Sequence, residues 1–169
     1  MNFQNSSKKI KNNLLKRENI FNLIIILTIF FLDRISKFKV LNDFYDRDYF
    51  INNFLNIDLI WNTGIGFGLL STDSSLIYNL ITFVIIVVML ILLYLILTAH
   101  TIDKIIYSMI MGGALGNFYD RLTYKAVPDF IDLHFNNFHW FTFNIADIFI
   151  TFGIIGYLVS DYNKKNEKN

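Results

Sequence analysis

Two aspartates in the second half of the chain, Asp129 and Asp147, have the residue type that acid–base chemistry requires. Two carboxylates held close together away from bulk water do not both ionise easily, so one keeps its proton while the other stays charged. The charged partner can take a proton from water, and that water can then attack a carbonyl carbon. The protonated partner can polarise the carbonyl oxygen and later help to protonate the leaving nitrogen. Such a pair hydrolyses an amide bond by the logic of an aspartic protease, without a cofactor.

The chain that must position these aspartates has the composition of a membrane protein. Hydrophobic residues make up 54% of its 169 residues, and charged residues make up only 17%, against about 25% in soluble domains. Residues 74–102 contain no Asp, Glu, Lys or Arg, and a run of about 20 apolar helical residues crosses a bilayer. Three weaker apolar segments surround this one. The sequence therefore predicts an all-α membrane protein with four transmembrane helices, near residues 18–38, 75–99, 103–122 and 143–161.

The same counts exclude several classes of protein. The formal net charge is +1, so no basic surface indicates a nucleic-acid partner. The chain has no cysteine, which excludes a disulfide framework, a thiolate zinc site, an iron–sulfur cluster and a thiol nucleophile. One proline and eight glycines also exclude a collagen-like or low-complexity chain.

Lysine and arginine are concentrated near the two ends of the chain, which predicts its orientation. Basic residues favour the cytoplasmic side of a membrane protein, and four spans place both tails on that same side. The basic residues are Lys8, Lys9, Lys11, Lys16 and Arg17 near the start, and Lys164, Lys165 and Lys168 near the end.

This topology predicts a cytoplasmic tail at 1–17, a single four-span catalytic domain at 18–161 and a second cytoplasmic tail at 162–169. The segments 40–73 and 123–142 then lie outside. The first span begins like a secretory signal peptide, but charged residues follow it where a small-residue cleavage site would stand. It is therefore predicted to be an uncleaved signal anchor.

The outer segments contain alternating patterns that predict β-strands. From Leu55 to Asn62, and again from Ile131 to Phe135, apolar residues mostly alternate with polar ones, which is typical of half-buried strands. The two strands are expected to form a small extracytoplasmic sheet, a cradle on the outer membrane surface. Asp43, Asp46, Arg47 and Asp48 are expected to form a solvated loop.

The predicted topology brings the polar residues of three spans to the outer membrane face. Ionisable residues within a span are costly and face the bundle interior, so they mark functional sites. Helical spacing of three or four residues pairs them within each span. Any one pair could simply hold helices together, but four clusters at one depth indicate a functional site. They are Asp33 and Lys37, then Asn117, Asp120 and Arg121, then Asn144 and Asp147, with Asp129 in the loop between the last two spans.

The glycines are also concentrated. Gly112 and Gly116 are four residues apart, a spacing that lets helices approach closely. The series Gly64-Ile65-Gly66-Phe67-Gly68 could suggest a dinucleotide loop, but it lacks the third glycine at the required spacing, and no βαβ unit follows.

Other chemistries use some of the same residues. The segment Asp129-Phe130-Ile131-Asp132-Leu133-His134, together with His139, could bind a metal. However, no HExxH motif is present, and Asp132 and His134 fit the polar face of a strand, so no metal is expected. A proton-coupled carrier could use the aspartates as a relay, although such a pathway needs polar groups through the whole membrane. A scaffold whose polar residues only join helices is the third alternative.

The motifs, in their order, resemble those of the lipoprotein signal peptidases (signal peptidase II), which are integral membrane aspartic proteases of bacteria. The resemblance covers most of the chain from about residue 20 to 160. It rests on Leu32-Asp33-Arg34-Ile35-Ser36-Lys37, Asn62-Thr63-Gly64-Ile65-Gly66-Phe67, Gly112-Gly113-Ala114-Leu115-Gly116-Asn117-Phe118-Tyr119-Asp120-Arg121, Val127-Pro128-Asp129-Phe130 and Phe143-Asn144-Ile145-Ala146-Asp147.

The resemblance implies a function and a role for each matched residue. The family removes the signal peptide from prolipoproteins that carry a diacylglyceryl group on cysteine, cutting on the amino side of that cysteine. It implies a multi-pass protein of the bacterial cytoplasmic (inner) membrane, with prolipoprotein and membrane lipids as its partners and an active site near the outer face. Asp129 and Asp147 would be catalytic, with Asn62, Asn117, Arg121 and Asn144 lining the substrate pocket, and Asp33, Lys37, Gly113 and Ala146 supporting it.

The chain departs from the family pattern beside both catalytic positions. Pro128 stands where a small aliphatic residue is commoner, and it removes a backbone N–H next to Asp129. Ile148 follows Asp147 where a small polar residue is frequent. Neither change removes a catalytic group, but both leave the shape of the pocket open.

Overall fold

The computed structural model describes residues 17–45, 49–64, 74–136 and 138–167, and these residues form four helices and one four-stranded sheet. The four predicted helices are confirmed, and the first extends five residues beyond its predicted end. The helices are α1 (Arg17–Asp43), α2 (Ser75–Thr98), α3 (Thr101–Tyr124) and α4 (Ile145–Asn166). The strands are β1 (Tyr49–Asn52), β2 (Leu55–Asn62), β3 (Val127–Phe135) and β4 (Phe138–Phe143).

Three helices of the described part, α1, α2 and α4, are long and apolar enough to cross a membrane. In the most apolar stretch of α2 only 17% of the residues are buried. A helix in the core of a soluble domain would bury this surface, so the apolar side chains of α2 are suited to lipid contact. Helix α3 lies where it was predicted, but it carries charged residues near both ends and is not among the helices that are apolar enough to cross a membrane. Its assignment as a span stays a prediction.

Helix α3 packs against the other three helices and carries the predicted ridge of small residues. A Cβ atom added at Gly113 would lie 2.5 Å from the carbonyl oxygen of Ala146 in α4. A Cβ atom at Gly116 would collide with the carboxylate of Asp33 in α1. The absence of side chains at these two positions therefore lets α1 and α4 approach α3 where their polar residues lie.

The four strands form one antiparallel sheet in the order β1-β2-β3-β4. The predicted strands are its central pair, β2 and β3, but the prediction missed β1 and β4. The residues of β1 are all exposed, and β4 is exposed from Phe138 to Phe141. Neither strand shows the alternating burial of a half-buried strand. The predicted loop at 43–48 is partly wrong, because Asp43 ends α1; Asp46, Arg47 and Asp48 lie outside the described residues.

Short connections join the sheet to the helices. Lys125 ends α3 in the left-handed conformation, with φ 61°, and β3 begins two residues later. Pro128 pairs with Trp61 of β2, whereas β4 pairs with β3 only from Ile131 onward. Its missing N–H therefore lies where β3 has a single neighbour, a place in a sheet that tolerates proline. Strand β4 leads directly into Asn144, the residue that caps α4.

Candidate active site

Asp129 lies in β3 and is only 2% exposed. Two side-chain amides hold its carboxylate. Nδ2 of Asn62 in β2 donates to Oδ2 at 2.8 Å, and Nδ2 of Asn144 donates to Oδ1 at 2.6 Å. Both carboxylate oxygens therefore have a neutral donor, and neither hydrogen bond comes from a lysine or arginine.

This environment changes the acidity of Asp129. Burial, and after it the nearby charge of Asp147, raise the pKa of Asp129 to about 7, against the lowering effect of the hydrogen bonds from Asn62 and Asn144. A carboxyl group with a pKa near neutrality can both hold and release a proton at physiological pH. Asp129 therefore has the property that a general acid or base requires.

Asp147 lies in the first turn of α4, where it forms a capping box with Asn144. The backbone N–H of Asp147 donates to Oδ1 of Asn144 at 3.1 Å, and the backbone N–H of Asn144 donates to Oδ2 of Asp147 at 3.1 Å. The same Asn144 side chain donates to Asp129. One residue thus joins both aspartates and sets their relative position.

A chain of polar contacts runs from Asp147 into the helix bundle. Nδ2 of Asn117 donates to Oδ1 of Asp147 at 2.8 Å, and Nζ of Lys37 donates to Oδ1 of Asn117 at 2.9 Å. Lys37 is 1% exposed, and its Nζ also lies 3.0 Å from Oδ1 of Asp33 and 2.7 Å from Oδ2 of Asp120. The lysine thereby fixes which end of the Asn117 amide faces Asp147. The predicted Asp33–Lys37 pair is confirmed.

Asp33 and Gly113 both contact the start of α4 at Ala146. Oδ1 of Asp33 accepts the backbone N–H of Ala146 at 3.1 Å, and Gly113 packs against the carbonyl of Ala146. Ala146 itself is fully buried. These contacts hold the turn that carries Asp147.

Arg121 does not pair with Asn117, although their spacing suggested it. Its Nη2 donates to the carbonyl of Gly64. The Arg121 guanidinium lies over the ring of Tyr78, and the Tyr78 hydroxyl donates to the backbone carbonyl of Arg121 at 2.8 Å. Nε and Nη1 of Arg121 are buried and form no hydrogen bond with the described residues. Beyond Gly64, the predicted motif residues Ile65, Gly66 and Phe67 lie outside the described part of the chain.

No role was predicted for Arg34 from the sequence, and Asp120 was predicted only to lie among the polar residues at the outer membrane face. Arg34 donates to both carboxylate oxygens of Asp120 and to Oδ2 of Asp33 at 2.7 Å, and it stacks 4.8 Å from the Tyr119 ring. Asp120 is fully buried between Arg34 and Lys37. The sequence could have indicated this contact, because the predicted topology places these opposite charges at the same level of the membrane on two different helices.

An apolar groove of about 250 Å³ lies beside Asp147. It runs between β4 and α4 and is lined by Phe141, Phe143, Asp147, Ile148, Thr151 and Phe152. A larger cavity of about 410 Å³ lies elsewhere, between α1 and α3, where Phe30, Arg34 and Tyr119 form part of its wall. Ile148, which departs from the family pattern, is part of the groove beside Asp147.

Comparison with known proteins gave concordant matches. The family described as signal peptidase (SPase) II matches residues 25–162. A lipoprotein signal peptidase from Pelagibacter ubique is 49% identical over 155 residues, covering 88% of this chain and 93% of that protein. A lipoprotein signal peptidase from Anaplasma phagocytophilum is 36% identical over 157 residues, covering 90% and 99%.

Solved structures also match the fold. A bacterial membrane enzyme determined by the in meso method superposes with a TM-score of 0.75 at 25% identity, covering 88% of this chain and 92% of that one. A second bacterial membrane enzyme, also determined in meso, gives a TM-score of 0.67 at 26% identity, covering 83% and 91%.

Proposed function

Because the chain belongs to the signal peptidase II family of membrane aspartic peptidases, we propose that it removes the signal peptide from diacylglyceryl-modified prolipoproteins. Cleavage falls on the amino side of the lipidated cysteine. The observation that supports this proposal most strongly is that one side chain, Asn144, contacts both Asp129 and Asp147. The proposed catalytic pair is therefore held by neutral amides in a water-poor site, as two carboxyl groups that share a proton require.

In the proposed mechanism the pair holds one proton between its two carboxyl groups, and the pair titrates as a unit. The ionised carboxylate takes a proton from a water molecule, and the resulting hydroxide attacks the carbonyl carbon of the scissile bond. The other carboxyl group donates a hydrogen bond to the carbonyl oxygen. When the C–N bond breaks, the leaving nitrogen receives a proton from the pair, which restores the starting state.

Neighbouring side chains would position the pair and the substrate. Asn62 and Asn144 orient the Asp129 carboxylate, and Lys37 orients Asp147 through Asn117. Arg121 has two buried donors that form no hydrogen bond with the described residues, so we propose that they bind backbone carbonyls of the substrate. An unsatisfied buried donor is costly, and substrate binding would remove that cost.

The groove beside Asp147 would receive the apolar part of the substrate. Phe141, Phe143, Ile148 and Phe152 give it an apolar wall that reaches the proposed catalytic residue. An acyl chain or the apolar core of a signal peptide could bury its surface there, and each buried methylene contributes about 0.8 kcal/mol. This arrangement would keep the lipid in the groove while the peptide bond meets the two aspartates.

We further propose that all four helices of the 18–161 domain cross the bacterial inner membrane, with the tails 1–17 and 162–169 in the cytoplasm. Helix α3 has 24 residues, which at 1.5 Å per residue makes it about 36 Å long, enough for the hydrocarbon core. Exposed aromatic residues cover much of the sheet, and such residues favour the membrane interface. They are Tyr49, Phe50, Phe54, Trp61, Phe135, Phe138, Trp140 and Phe141.

The substrate class is tested with one prolipoprotein prepared with and without its diacylglyceryl group. The purified protein in detergent is expected to cleave only the lipidated form, and mass spectrometry should place lipidated cysteine at the new N-terminus. Equal cleavage of both forms would contradict the lipid requirement. Proton flux into vesicles without any peptide product would favour the carrier interpretation instead.

A further inference from the structure

Three potential metal ligands lie together on one face of the β3–β4 hairpin. Asp132 and His134 are two residues apart in β3, so their side chains point to the same face. His139 in β4 is the cross-strand partner of His134, and directly opposite residues in an antiparallel pair also share a face. No metal was expected from the sequence, because it has no HExxH motif and because Asp132 and His134 fit the polar face of a strand; the strand register places His139 beside His134.

The donor atoms converge as metal ligands do. Oδ2 of Asp132 lies 2.7 Å from Nδ1 of His139 and 3.3 Å from Nδ1 of His134. One ligand atom from each of the three residues lies within 4.8 Å of the others. Ligands bound about 2.0–2.2 Å from a tetrahedral zinc ion lie roughly 3.3 Å apart. Small side-chain adjustments would therefore place all three around one ion.

Burial supports a bound cation at this position. Asp132 is 1% exposed and His134 is 4% exposed. Within the described ranges, Asp132 forms ion pairs only with the two histidines. Nδ1 of His134 is buried and forms no hydrogen bond to the described residues. A buried carboxylate needs a compensating charge, and a buried nitrogen needs a partner; one divalent cation would supply both.

We propose that Asp132, His134 and His139 bind a divalent transition-metal ion, with Zn²⁺ as the best fit. Two imidazoles and one carboxylate favour zinc and its neighbours over magnesium or calcium, which prefer oxygen ligands. The His139 side chain is 56% exposed, so a water molecule from the solvent side can complete the coordination.

The proposed ion is structural and separate from the catalytic pair. Asp129 lies three residues before Asp132 in β3, which places the two side chains on opposite faces of the strand. By joining β3 to β4, the ion would stabilise the hairpin that begins near Asp129 and ends at Asn144. No chemical step of the proposed hydrolysis passes through it.

The test is calorimetric titration of ZnCl₂ into the metal-free full chain, purified in detergent without a polyhistidine tag. Wild type is expected to bind one ion per chain and to melt at a higher temperature with zinc. His139→Ala should weaken binding by at least about tenfold and abolish the shift in melting temperature. Because His139 is exposed, this variant should stay folded without metal, although it loses the contact to Asp132 and should melt somewhat below metal-free wild type.

The chain provides a matched control in His100, its third histidine, which is exposed between α2 and α3. His100→Ala should bind zinc like wild type. In a Co²⁺ titration, wild type and His100→Ala should show the visible absorption of tetrahedral cobalt, and His139→Ala should not. The absence of saturable binding, or equal binding by His139→Ala and wild type, would overturn the proposal. Cleavage activity is not measured, so the result is independent of the proposed function.

Discussion

The two ends of the helix bundle both carry ion pairs, but they hold them in different ways. At the sheet end, Asp33, Lys37 and Asp120 are at most 1% exposed, and each has more than one polar partner. At the opposite end, Asp103 pairs with Lys164, whose side chain is 49% exposed.

The second ion pair at that end also has one solvent-exposed partner. Lys104 lies 3.5 Å from Glu18, whose side chain is 55% exposed. Exposed pairs contribute little to stability, about 0–1 kcal/mol, whereas buried charges are costly to desolvate and need several partners. At the opposite end Asp103 and Lys104 are themselves 7% exposed, but the partner of each is open to solvent. At the sheet end both members of the Lys37 pairs are buried, and Lys37 connects to Asp147 through Asn117.

The largest difference between the ends is expected for lysine replacement. Lys37→Met would leave Asp33 and Asp120 buried without the lysine charge, and breaking a buried pair in this way costs about 3–5 kcal/mol. We expect a large fall in melting temperature in detergent, together with a loss of cleavage. An unchanged melting temperature would show that Lys37 is not needed to compensate these carboxylates.

A smaller effect, mainly on activity, is expected at Asn117. Asn117→Ala would remove the amide between Lys37 and Asp147, a loss of about 1.5–3 kcal/mol for hydrogen bonds to charged groups. We expect kcat/KM to fall roughly tenfold to a hundredfold, with a lesser change in melting temperature. Asn79→Ala, at an exposed position of α2, is the matched control and should cleave like wild type. Equal activity in both variants would remove Asn117 from the positioning network.

The pKa of Asp129 predicts a pH dependence at the sheet end. Since that pKa is about 7 in the fold, against an ordinary value of 3.8, the folded chain holds more protons than the unfolded chain between these values. This contribution to stability is complete below about pH 4 and is lost as the pH rises through about 7. Melting temperatures measured from pH 4.5 to 8 should therefore fall more steeply for wild type than for Asp129→Asn. Parallel curves would contradict the raised pKa.

The smallest effect is expected at the opposite end. Lys164→Ala removes the exposed partner of Asp103, which keeps its hydrogen bond from Ser160, so the melting temperature should fall only slightly and cleavage should stay at the wild-type rate. The measurement runs beside that of Lys37→Met under the same conditions. A loss of activity comparable with that of Lys37→Met would break the proposed contrast between the two ends.

The helices and the polar clusters could be predicted from the sequence because each has a local signal. Residues 74–102 lack charge, and Asp33 with Lys37 has helical spacing. In the sequences of β2 and β3, apolar residues mostly alternate with polar ones, and these strands were predicted for that reason. Strand β1 and the first four residues of β4 are exposed on both faces. These strands form because a neighbouring strand pairs with each of them, which the local sequence does not reveal.

The contacts between elements could not be predicted in the same way. The link from Lys37 through Asn117 to Asp147 joins three helices, and the pairing of Arg34 with Asp120 joins two. Arg121 was expected to contact Asn117 by spacing, but tertiary packing brings it to Gly64. Such contacts depend on the rotation of each helix in the bundle, which spacing within one helix does not determine.

The central claim is that Asp129 and Asp147 together hydrolyse the peptide bond, and their conservative replacement tests it most directly. Cleavage of lipidated prolipoprotein should be measured for wild type, Asp129→Asn and Asp147→Asn, with Asp161→Asn at the exposed end of α4 as control. Each of the first two variants is expected to melt as a folded protein and to lose cleavage by about 10⁴-fold or more, while the control cleaves normally. Cleavage close to the wild-type rate by either active-site variant would contradict the account.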